Sequence, residues 1–100
     1  MIIVSGILRL SPADLAGLRE AAAAVLAATR AEAGCIVYSF AEDLIEPGLV
    51  RIYEEWESRE ALAAHGKSAH IAAWHQALKG VSVLKRDLKL IEAGKAEPLG

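Results

Sequence analysis

All three histidines of this 100-residue chain fall in one short stretch, at His65, His70 and His75, just after the run Tyr53-Glu54-Glu55-Trp56. Histidine exchanges protons near neutral pH, so a group of them close to a carboxylate and an indole marks this stretch as the candidate site of the chain. On a continuous helix, residues five apart stand roughly 140° apart, so the three rings cannot form one ligand stripe. Some of them should look into a pocket and some outward. The spacing also lacks the i, i+4 geometry of paired helical ligands in H-E-x-x-H, and no metal centre is expected. The glycines are isolated, with no G-x-G-x-x-G and no phosphate loop, and Ser-His-Asp chemistry has no local support.

The elements that must hold these residues are legible from pattern and punctuation. Residues 2–10, IIVSGILRL, are rich in β-branched side chains and short, which predicts a strand. Ser11-Pro12-Ala13-Asp14 reads as a helix start, and a stripe of Leu15, Leu18, Ala22, Val25, Leu26 and Thr29 carries that helix to about Glu32, with Gly34 closing it. Residues 35–44 and 49–57 read as two strands joined by the turn Ile45-Glu46-Pro47-Gly48. On the second, Val50, Ile52, Glu54 and Trp56 share one face, and Arg51, Tyr53, Glu55 and Glu57 the other. Ser58 caps a further helical region that Gly66 interrupts. Ser68 caps a second segment with Ile71, Trp74 and Leu78 on one side, ended by Gly80. Residues 82–92 make the last strand.

The order is β-α-β-β-α-β, so the expected fold is α+β and ferredoxin-like: a four-stranded antiparallel sheet with its helices on one face. A domain over residues 1–93 and a tail over 94–100 are expected. Both faces of the first strand carry apolar side chains, and a second copy packed sheet to sheet is the economical cover. The chain is 54% hydrophobic and 24% charged, which is a globular composition. A net charge of −2 without a basic block gives no nucleic-acid footprint. The single cysteine, Cys35, has no internal disulfide partner and fits a reducing compartment. With no long apolar run and no basic leader, the expectation is a cytoplasmic protein that does not enter the membrane.

This order, Gly34-Cys35 opening the second strand, and Tyr53-Glu54-x-Trp56 followed by His65 and His70 resemble the antibiotic biosynthesis monooxygenase superfamily over nearly the whole chain. The resemblance implies a homodimeric α/β barrel. In enzymes of this kind the substrate lies between sheet and helices, and an electron-rich quinol or phenol activates oxygen without flavin or metal. It implies roles for His65 and His70 in proton handling. Trp56, Glu54, Ser5, Arg9 and Trp74 then become candidate substrate contacts.

Two other readings stand beside this one. The same cavity could serve a non-catalytic binding or stress-associated dimer. The haem-degrading branch uses an asparagine on the first strand, a tryptophan early in the second helical region and a histidine ligand further on. Here His75 falls at the ligand position, His65 where the tryptophan should be, and the first strand has no asparagine. Each aromatic and histidine also has a plain structural reading: Trp56 and Trp74 as core, His65 as a helix-end residue, His75 as a solvated one.

Overall fold

The computed structural model describes residues 1–100. The order is β1 (Ile2–Arg9), α1 (Pro12–Gly17), α2 (Arg19–Arg30), β2 (Cys35–Glu42), β3 (Leu49–Trp56), α3 (Arg59–Gly66), α4 (Ala69–Leu78) and β4 (Lys85–Glu92). The strands form one antiparallel sheet in the order β2-β3-β1-β4, the ferredoxin-like arrangement the sequence predicts. No helix is long and apolar enough to cross a membrane.

Serine side chains start three of the helices. Ser11 accepts from the Asp14 amide at 3.1 Å, Ser58 from Ala61 at 3.1 Å and Ser68 from Ile71 at 3.3 Å. The first helical region is not continuous as expected. It breaks at Leu18, whose amide turns back to the Leu15 carbonyl at 3.1 Å and whose side chain is buried. Gly17 removes helix propensity at that point, and the bend aims Leu18 into the core. The last strand starts at Lys85, later than expected, because over residues 82–84 the Ser82 amide turns to the Asp14 carboxylate and only the Leu84 amide reaches β1, at the Arg9 carbonyl.

The even-numbered residues of β1 and β3 face the helices. Ile2, Leu8, Val50, Ile52, Glu54 and Trp56 are buried there, with Leu18, Val25, Ile71 and Trp74 packed from the helical side. Of the odd-numbered residues, Ile3, Ser5, Ile7 and Tyr53 form the open face, while Leu49 at the start of β3 is buried. A bulge in β2 sits between Cys35, opposite Trp56, and Val37, opposite Glu55. The extra residue leaves Ile36 half exposed and puts Tyr38 and Phe40 on the helix side. At the β2–β3 turn Gly48 has φ +82°, and a Cβ there would lie 2.1 Å from the Leu10 carbonyl oxygen, so only glycine fits.

Candidate functional site

A cavity of about 210 Å³ opens between the sheet and the helices α3 and α4. Its wall is mostly apolar, including Leu8, Phe40, Ile52 and Trp74, and its polar members are Glu54, His65, His75 and Arg86. A second apolar cavity of the same size lies under α1 and α2, but its charged residues, Arg19 and Glu42, pair with each other at 2.9 Å. His65, His75 and the buried carboxylate of Glu54 belong to the first. Phe40 and Trp74 line both and stand between them.

His65 occupies the last turn of α3 and is buried at 5% exposure. Its ring packs against Trp56, with centroids 4.9 Å apart, and edge-on to Tyr38 at 5.2 Å. The Ser68 hydroxyl donates to the His65 carbonyl at 2.7 Å, which fixes the corner between α3 and α4. Nδ1 of His65 lies 3.2 Å from Oε1 of Glu32, in the turn after α2. Nε2 of His70 hydrogen-bonds the same oxygen. A carboxylate only accepts, so Nδ1 of His65 carries its proton toward Glu32, and the neutral ring keeps Nε2 as its acceptor. This is the base-and-orienter arrangement of acid–base sites.

Below His65, buried Glu54 accepts from the Trp56 indole N–H at 2.9 Å. Burial raises the Glu54 pKa, against the opposing pull of the Trp56 hydrogen bond and of His65. Burial also pushes the Tyr38 phenol well above its ordinary range, with Glu54 adding to the effect, so this hydroxyl stays protonated and can donate. At the mouth, His75 is exposed, and its pKa is lowered first by partial desolvation and then by Arg86. Cys35 has its thiol pKa raised by burial and then by Glu32, the setting of an unreactive thiol.

The structure gathers the sequence candidates unevenly. His65, Glu54 and Trp74 line the cavity. Trp56 does not: it is fully buried behind His65 and Glu54, a support for both. His70 does not line the cavity; it bonds Glu32 beside His65 and borders a separate small hollow with Ala73 and Trp74. Ser5 and Arg9 do not reach the site. Ser5 pairs with Tyr53 on the open face, and Arg9, of the same odd-numbered set, reaches Glu46 at 3.3 Å. The alternation of β1 decides this, since its buried members are Ile2 and Leu8. Sequence reasoning missed Glu32, Tyr38 and Arg86. Glu32 is a polar residue off the helix stripe, more than thirty positions from His65, with no local signal. Tyr38 becomes visible only once the bulge in β2 is known. Glu32, His65 and His70 also offer three ligand atoms within 4.8 Å of one another, which a sequence spacing of five did not suggest.

Fold and site together define a ferredoxin-like α+β protein with a partly polar cavity between sheet and helices. A model of the antibiotic biosynthesis monooxygenase family matches residues 1–77, and the chain belongs to that family. A solved structure from Deinococcus radiodurans, described as a candidate antibiotic biosynthesis monooxygenase, is 33% identical with a TM-score of 0.90, over 99% of this chain and 98% of that one. One from Caulobacter crescentus, described in the same words, is 26% identical with a TM-score of 0.82, over 94% of this chain and 90% of that one. A Mycobacterium tuberculosis protein at 22% identity shares the fold, with a TM-score of 0.84 over 97% and 98%. None of the curated proteins matches the chain.

Proposed function

We propose that the protein is a monooxygenase that oxidises a small aromatic quinol or phenol with molecular oxygen, the substrate itself supplying the electrons. The observation that carries this reading is the ordered pair of Glu32 and His65 beside a partly polar cavity. His65 takes the hydroxyl proton at Nε2, and the resulting phenolate is electron-rich enough to reduce oxygen. Glu32 is a positioning residue that holds the tautomer and favours the imidazolium that forms. The Tyr38 hydroxyl, which burial keeps protonated, and the Glu54 carboxyl beside it offer hydrogen bonds to oxygen substituents of the ring. Trp74 and Phe40 supply flat apolar walls, and Arg86 at the rim favours a substrate that becomes anionic.

The open sheet face, with Ile3, Ile7 and Tyr53, is the surface through which two copies pair in this reading. A binding protein without chemistry would more naturally fill its cavity with Leu, Ile and Trp side chains, whereas this one retains five titratable groups on its wall. The haem reading gains no partner for His75 on β1, where Ser5 faces away from the cavity. The test is oxygen uptake by the purified protein with a panel of quinols and anthrones. Uptake above the autoxidation rate supports the reading; no uptake with any compound that binds in the cavity speaks against it.

A further inference from the structure

We infer that Glu32, His65 and His70 form a binding site for a borderline divalent transition ion of the zinc type. This inference stands on the geometry of the three side chains and holds whether or not the oxygenase reading does. The donors come from three different elements, the turn after α2, the end of α3 and the start of α4, and all their ligand atoms lie within 4.8 Å of one another. A tetrahedral zinc site with bonds of about 2.0–2.1 Å sets its ligands about 3.3 Å apart. The separation of His65 Nδ1 from Glu32 Oε1 is 3.2 Å, and His70 Nε2, hydrogen-bonded to the same oxygen, draws back to admit the ion. Two imidazoles and a carboxylate suit zinc, cobalt or nickel better than magnesium or calcium, which prefer all-oxygen sites.

The surroundings fit as well. Glu32 forms no ion pair with a lysine or arginine; its only charged-type partners are the two histidines. The backbone of all three is held: the Glu32 amide bonds the Thr29 carbonyl at 3.0 Å, Ser68 locks the His65 carbonyl, and His70 lies in the first turn of α4. Tyr38 and Trp56 pack on the His65 ring and give it an apolar backing, while Glu32 and His70 keep side-chain exposures of 17% and 26%, enough for an ion to enter. Three protein ligands leave a fourth position for water. Bound metal takes the Nδ1 position of His65 and moves the ring proton to Nε2, so the ring presents a donor to the cavity where it had presented an acceptor. In the oxygenase reading the ion is therefore an inhibitor.

Equilibrium dialysis of the untagged, chelator-treated protein against zinc, with cobalt(II) absorption as a spectroscopic probe, tests the site directly. The expected result is one ion per chain, unaffected by excess magnesium, with intense visible bands for cobalt in a low-coordinate site. Affinity should fall at least tenfold in both Glu32→Gln and His70→Ala. Circular dichroism of each variant separates loss of a ligand from loss of fold, and Glu32→Gln keeps the side-chain volume. Absence of stoichiometric zinc in the parent protein overturns the inference, as does unchanged affinity in the folded Glu32→Gln variant. Neither result bears on oxygen uptake, which is measured separately with chelator present.

Discussion

The indole of Trp56 donates its one N–H to Oε1 of Glu54 at 2.9 Å, between two buried residues on the same face of β3. The pair explains how a carboxylate is kept beneath an apolar cavity: one charged-type acceptor, one fixed donor, and the His65 ring stacked on the indole.

Glu54 should make stability depend on pH. Burial raises its folded pKa above the ordinary carboxylate value, so the folded state holds this proton longer than the unfolded one. Its contribution is fully present below the unfolded pKa and is lost as pH rises through the raised folded value. Glu54→Gln keeps an acceptor for Trp56 and removes the buried charge. The variant should melt above the parent at pH 7, and the gap should narrow as pH falls below the ordinary glutamate range. Thermal melts of both proteins across that window check it.

Replacing Trp56 by phenylalanine removes the donor and leaves the acceptor. An unsatisfied buried carboxylate and a smaller ring in a fully buried position should cost about 2–4 kcal/mol. Denaturant titration measures the loss. The double variant with Glu54→Gln should recover part of it at pH 7, because an unpaired amide costs less to bury than an unpaired carboxylate.

Gly6 stands where β1 carries β4. A Cβ at this position would lie 1.8 Å from the Asp87 carbonyl oxygen, on backbone that cannot step aside without opening the β1–β4 ladder. Gly6→Ala should destabilise the protein by about 3 kcal/mol or more. Hydrogen exchange should show the amides of β4 deprotected before those of β2.

The open face gives a test of assembly. Ile7→Asp places a charge at the centre of the surface proposed to pair two copies. Sedimentation velocity should show a dimer for the parent and a monomer for the variant, with unchanged secondary structure.

Much of the fold was legible because its signals are local. Serine caps at Ser11, Ser58 and Ser68, the breaks at Gly34, Gly66 and Gly80, and the alternation of β3 each follow from a few neighbouring residues. Glu54 and Trp56 share a buried face for that reason. The site was less legible because it depends on long-range placement. The histidine spacing argument assumed one continuous helix, but Lys67 and Ser68 separate α3 from α4, so His65 and His70 converge on Glu32 across a corner. Glu32 itself carries no periodic or motif signal. Ser5 and Arg9 were drawn toward the pocket because both faces of β1 are apolar, and only the helices decide which face they cover.

The central claim is that His65, held by Glu32, is the base of an oxygen-consuming reaction in the cavity under α3 and α4. The most direct measurement is the oxygen consumption rate of His65→Ala against the parent, on a quinol the parent turns over, with chelator present and folding confirmed. The account predicts a fall of about 10²–10⁴-fold in kcat, in line with loss of a general base. A folded His65→Ala protein that consumes oxygen at the parent rate would contradict it.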